Sequence, residues 1–439
     1  MESVQQNSAI LAPAMKTTAP RPATVKELKR VSNYRLTLGW LLLVFWIPSI
    51  FALDWDVQWH VNVGRDGFWT PPHWMFYSTV AAAGTICLGV TLLETILYYR
   101  RYPGINDHTT TPALFLFRGQ VGFMLAGFGM AVMLASAPFD DYWHRLFGID
   151  VAIWTPFHVM LGLGIAMANL GIVYLFASEL NRRKTWAKAG TPQSSFLPKI
   201  GAQLRQLIHP ATLGLILAAI TLLTRYWFVM GETFLGKSLT PGTLTVGEAK
   251  LPAYSLALAI VPVLLVALVN YTGLAGIATL TGVLSVVFRL VDAAFVEWGV
   301  KALAVDQGVA LRPGANDNAL MPLVYPLFLP LAGLVVDLLY LATRRWRIKP
   351  RLLPSLLVAV ISSLVAGLLL FLLDKPWEAY NNSIGNAFGG ATNPFAAAAA
   401  SRFLFKPSYW EALPLVALIA ALAGVVGLAF ATSLKYTER

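Results

Sequence analysis

One cysteine, Cys87, in 439 residues excludes a disulfide framework and a thiolate metal cluster. Any metal must then be held by imidazole, carboxylate or thioether. Charge is scarce as well: 13% of the residues are charged against 57% hydrophobic, with a mean hydropathy of +0.62. Such a composition is too apolar for a soluble globular protein. A nucleotide-binding glycine loop, a nucleophile elbow, a haem-attachment motif and an HExxH pair are all missing. Histidine is limited to six residues, none of them after His209.

What is abundant is long apolar sequence. Ten runs stand out, approximately 36–53, 73–98, 113–136, 153–178, 210–231, 252–270, 273–291, 320–342, 352–373 and 411–434. Within lipid each must be a helix, because any open backbone would leave its N–H and C=O groups unpaired. The expected fold is therefore an all-α polytopic membrane protein of about ten transmembrane helices, with lipid as its first partner. The formal charge of +11 does not point to nucleic acid, because the basic residues sit in short runs between apolar segments, the pattern of cytoplasmic loops. Lys26, Lys29, Arg30 and Arg35 precede the first run, Arg100 and Arg101 follow the second, and Arg182 to Lys188 follow the fourth. With one crossing per run, these clusters fall on one side. That arrangement predicts an inner-membrane protein with both termini in the cytoplasm.

Four divisions follow: a disordered cytoplasmic tail over 1–35, a four-helix membrane domain over 36–178, a basic cytoplasmic linker over 179–209, and a six-helix membrane domain over 210–439.

The first membrane domain contains a repeated motif. Residues 54–73 read DWDVQWHVNVGRDGFWTPPH and residues 138–158 read PFDDYWHRLFGIDVAIWTPFH. Each has Asp four residues before the histidine of a Trp-His pair, Gly four and Asp six after that histidine, and a closing Trp-Thr-Pro-x-His. The first four helices thus read as two tandem hairpins, their motifs on the outer, periplasmic side. On a helix Asp56 and His60 share a face, as do Asp140 and His144. The remaining ligand comes from the next helix, Pro71 and Pro72 allowing a bend before His73 and Pro156 before His158. Each hairpin can therefore offer two imidazoles and one carboxylate to a metal. That set suits copper, zinc or non-haem iron. Asp66 and Asp150 are candidates for orienting an imidazole, or for capping a helix.

At these spacings the chain resembles the C subunit of particulate methane monooxygenase and ammonia monooxygenase. That family carries an Asp-x3-His-x12-His copper site followed by an Asn-x3-His-x13-His site. Asp56-x3-His60-x12-His73 and Asp140-x3-His144-x13-His158 match both spacings in the same order. The resemblance covers about residues 36–178. It implies copper at both sites, and a subunit of a monooxygenase-like complex that works with other subunits. Two departures are plain: Asp140 stands where the family has Asn, and the helices after 210 have no counterpart. A non-enzymatic copper-handling or assembly protein is one alternative function, and a redox protein with one haem between His73 and His158 is another.

Other features have a structural reading beside a functional one. Met124, Met130, Met133, Met160 and Met167 suit core packing or a Cu(I) path. Trp59, Trp69, Trp143 and Trp154 suit interface anchoring or shielding of a redox site. Glu94 and Arg118 are expected to pair at the inner helix ends, and His108 and His209 to be ordinary surface residues. Asp292 and Asp374, 82 residues apart with Trp298 and Trp377 nearby, are expected to begin outer loops that echo the motif.

Overall fold

The computed structural model describes residues 23–63, 67–113, 116–147, 155–188, 197–235, 244–246, 249–251, 254–311, 329–345, 356–368 and 413–438. Among the described residues, each of the ten apolar runs overlaps a helix. Among the described residues six helices are long and apolar enough to cross a membrane: α1 (Val25–Val63), α2 (Pro71–Tyr99), α3 (Val121–Phe147), α4 (Pro156–Lys188), α8 (Ile277–Gln307) and α11 (Leu413–Tyr436). Four shorter apolar stretches lie in α6 (Pro210–Leu235), α7 (Tyr254–Thr272), α9 (Leu329–Arg345) and α10 (Leu356–Leu368). Helix α5 (Leu197–Leu207) and two short hairpins, β1 (Thr111–Ala113) with β2 (Phe117–Gly119) and β3 (Leu244–Val246) with β4 (Ala249–Leu251), complete the described elements.

Several boundaries differ from the sequence expectation. The segment 25–35 is not a disordered tail, because a capping box starts α1 at Val25: the Glu27 N–H donates to Thr24 Oγ1 at 3.3 Å while the Thr24 N–H donates to Glu27 Oε2 at 2.8 Å. The third apolar run begins in β1 and β2, so α3 starts at Val121. The basic segment 179–209 is largely helical, since α4 continues to Lys188 and α5 follows, and Glu179, Asn181 and Arg182 are buried. Asp292 does not open a loop; α8 carries it and Trp298 onward to Gln307. Asp374 and Trp377 lie outside the described residues.

Helices α1 to α4 pack in sequence, and α1 meets α4 to close the set. Gly129 and Gly164 let α3 and α4 approach backbone to backbone: a Cβ at Gly129 would come 2.5 Å from the Gly164 carbonyl. Small residues at such crossings gain van der Waals contact that lipid cannot supply. The remaining helices are not packed apart from these four. One hydrophobic core runs from Leu42 and Ile172 through Leu215 and Leu265 to Leu434, and α1 also packs on α6 and α8.

Polar residues mark the two ends of this four-helix set. At one end Arg35 Nε meets Glu94 Oε1 at 2.5 Å, the Gln120 N–H donates to Glu94 Oε2 at 2.7 Å, and Arg35 Nη1 lies 3.7 Å from Glu179. The two Asp/His motifs occupy the other end. Arg35 precedes Asp56 by 21 residues, His73 precedes Glu94 by 21 and His158 precedes Glu179 by 21. At 1.5 Å per residue the two polar levels are about 32 Å apart, close to the roughly 30 Å thickness of bilayer hydrocarbon.

Candidate metal centres

The first cluster forms where α1 ends and α2 begins. One turn of α1 places Asp56 and His60 side by side, with His60 Nε2 3.8 Å from Asp56 Oδ2. Thr70 then ends the connection as the N-cap of α2, Pro71 and Pro72 fix its first turn, and His73 follows. His73 Nε2 comes within 3.2 Å of Asp56 Oδ1. The other ring nitrogen of His73, Nδ1, lies 3.2 Å from Thr70 Oγ1 and 3.3 Å from the Gly67 carbonyl. A proton on Nδ1 satisfies that carbonyl and leaves Nε2 with its lone pair facing Asp56, the tautomer a metal ligand needs. Phe68 and Tyr77 pack around the His73 ring, Tyr77 stacked on it at 5.8 Å between centroids.

The second cluster repeats this plan between α3 and α4. His144 Nε2 and His158 Nε2 are each 3.4 Å from Asp140 Oδ2. Here Thr155 takes a different task, accepting the His158 N–H at 3.1 Å as an N-cap. Phe157 stacks on Phe139 and meets Trp143 edge-on.

The structure thus brings together all six predicted ligands as two sets of three, the ligand atoms of each set lying within 4.8 Å of one another. Donors bound to one ion at 2.0–2.2 Å sit roughly 3.3 Å apart in a tetrahedron, so side-chain adjustment alone closes either set. An independent observation fits a cation. Asp140 Oδ1 is buried and accepts no hydrogen bond, and Asp56 Oδ1, also buried, faces His73 Nε2 at 3.2 Å; a buried carboxylate oxygen is costly unless a cation faces it.

Asp66, Asp150 and Trp154 lie outside the described residues. Trp59 is buried, Trp69 is exposed, and Met130 and Met133 are fully buried in the core. The expected Glu94–Arg118 pair does not form. Arg118 sits in β2 and is carried outward to Asp107, 2.5 Å away, and over the Tyr98 ring. The exposed Asp107 carboxyl is held below the usual range by hydrogen bonds from Tyr98 and Arg118. His108 is exposed, whereas His209 accepts the Ala211 N–H at 3.1 Å and touches Arg183. Burial and that guanidinium lower the His209 pKa.

No protein-family model, curated protein or solved structure matches this chain. The chemistry of the two centres therefore rests on their own geometry.

Sequence reasoning passed over two residues beside the first cluster. Asp54, two positions before Asp56, accepts from Arg289 Nη1 at 2.6 Å, and Arg289 also reaches Asp292 one turn along α8. Trp55 and Trp59 pack with Val296, Val300 and Leu303 of α8 in a small apolar cluster of their own. The second Asp in Asp54-Trp-Asp56 was visible in the sequence, but nothing local marked Arg289 as its partner.

Proposed function

We propose that this is a copper-binding integral membrane protein whose two Asp/His centres lie at the periplasmic face of an inner membrane, crossed by ten helices with both termini in the cytoplasm. The observation that carries the reading is the pair of two-histidine, one-carboxylate sets, the ligand atoms of each within 4.8 Å of one another. Two imidazoles and a carboxylate accept Cu(II), Zn(II) or Fe(II). Copper is favoured here by the ligand spacing shared with the C subunit of particulate methane and ammonia monooxygenases. By the same resemblance the protein acts as a subunit of a complex that oxidises a small apolar substrate.

In that role bound copper would supply the reaction with dioxygen. The chain's own residues would hold the ion, orient His73 through Thr70 and Gly67, and exclude water with Phe68 and Tyr77. Each of His73 and His158 faces the aspartate of its own hairpin, which favours two separate metal ions over one haem between the hairpins. Greater exposure of the second cluster, 20–26% for its three side chains against 11–21% for the first, supports a second reading in which copper is handed on to a partner.

Elemental analysis of the purified protein, paired with its visible spectrum, tests the proposal. Copper that falls when His60, His73, His144 and His158 are replaced supports it. Zinc or iron retained in copper's place overturns the copper assignment, and a strong Soret band would indicate haem. Retained copper without turnover, released to an acceptor, favours the delivery reading.

A further inference from the structure

We propose that Arg289 is a positioning residue for the first metal cluster, and that α8, outside the motif-bearing hairpins, sets the aim of that cluster. The proposal rests on the metal reading of Asp56, His60 and His73.

Successive residues of a helix turn by about 100°. Taking Asp54 as the origin, Trp55 and Trp59 lie on one arc, at roughly 100° and 140°, and Asp56 and His60 on another, at roughly 200° and 240°. The structure shows what each arc meets. Asp54 meets Arg289 at 2.6 Å, and Trp55 and Trp59 meet Val296, Val300 and Leu303, all on α8. Asp56 meets His73 of α2. Helix α8 therefore grips α1 on the side away from the ligands.

The grip is close and specific. Arg289 is bound on its other side to Asp292, which is fully buried. Gly299 makes room for the Trp55 indole, since a Cβ there would stand 2.9 Å from its Cε2. Phe295 adds an edge-on contact to Trp55 at 5.8 Å.

Magnitude decides why this matters. Side-chain tips lie about 5–6 Å from a helix axis, so a 20° rotation of α1 moves them by roughly 2 Å. A site tolerates displacements of about 0.5 Å. His73, on a separate helix, would not follow the rotation. The second cluster has its three ligands on α3 and α4 alone, which are locked by the Gly129–Gly164 crossing and do not depend on Arg289.

The test isolates each cluster. Cu(II) is titrated into full-length protein carrying H144A and H158A, where only the first cluster can load, and into protein carrying H60A and H73A, where only the second can. Arg289→Met should weaken Cu(II) binding about 10–100-fold in the first background and change its electron paramagnetic resonance signature, while leaving the second background unchanged. Arg289→Lys, which keeps one charged donor, should recover most of the affinity and the parental spectrum. Gly299→Val, which displaces Trp55 without touching any charge, should give the same selective loss. Unchanged binding in the first background, or equal losses in both, overturns the positioning role. If the first background binds no Cu(II) before Arg289 is altered, the metal reading of that cluster fails, and the positioning role with it.

Discussion

The two Asp/His clusters carry the same ligands at almost the same spacing, yet they are built into the protein differently. In the first, the aspartate splits its oxygens between two histidines, the threonine before Pro71 faces an imidazole, and a distant helix braces the carboxylate-bearing turn. In the second, one aspartate oxygen faces both histidines, the threonine caps a helix, and the ligand side chains are more exposed. A duplicated local motif can thus reach two electrostatic environments, because Asp54 stands where the second copy has Pro138 and recruits Arg289 from a distant helix. Burial raises the worth of each charge contact in the first cluster, while exposure leaves the second easier to load and unload.

Removing one histidine from each cluster should break this pair of sites most severely. His73→Ala and His158→Ala should each abolish metal at their own cluster, a loss larger than the roughly 10–100-fold that follows removal of an outer partner. Metal content per chain, measured with the other cluster intact, should fall by about half in each case. A loss of both equivalents from either variant would mean that the clusters are not independent.

Carboxylate neutralisation sharpens the comparison. Asp56→Asn should weaken metal binding more than Asp140→Asn, because the first carboxylate is the more buried. Competitive titration with a chelator reads the ordering, and equal effects would remove the electrostatic distinction drawn here.

The threonines separate the two designs at a smaller scale. Thr70→Val should lower metal affinity at the first cluster by up to about tenfold with little change in thermal stability. Thr155→Val should instead cost about 1 kcal/mol of stability through the lost N-cap, with little change in affinity. Melting in detergent and metal titration, run on both variants, check the exchange of roles.

The smallest expected effect lies at the opposite end of the set. Glu438, whose Oε1 accepts the Val121 N–H at 2.9 Å, has its pKa raised to about 7, chiefly by burial and against the pull of Arg35. Between its ordinary value of 4.5 and about 7 the folded state holds the extra proton, so stability should fall as pH rises through this window. Melting temperatures at pH 5 and pH 8 should differ less in Glu438→Gln, and metal binding at neither cluster should respond to that substitution.

Much of this was legible before any coordinates, for identifiable reasons. Apolar runs of bilayer length specify helices, and a four-residue offset places Asp56 beside His60 and Asp140 beside His144 whatever else surrounds them. Pro71 and Pro156 mark a bend just before His73 and His158, and the helices start at those prolines. Contacts between distant segments left no such mark. Glu94 is expected to pair with Arg118 at the inner end of the adjacent helix, while its partner Arg35 lies 59 positions away, on a helix that begins earlier than hydropathy implies. The Thr24–Glu27 box that starts that helix is a local signal and was readable. Arg289 was not, because pairing across 235 positions leaves no periodicity to detect.

That same separation gives the two sites different birth times on the ribosome. The second cluster is complete in sequence once His158 has been made, whereas Asp54 waits for Arg289, 131 residues after His158. At about 5–20 residues per second the gap is roughly 7–26 s, an interval in which the nascent chain can present a finished second cluster while the first still lacks its brace.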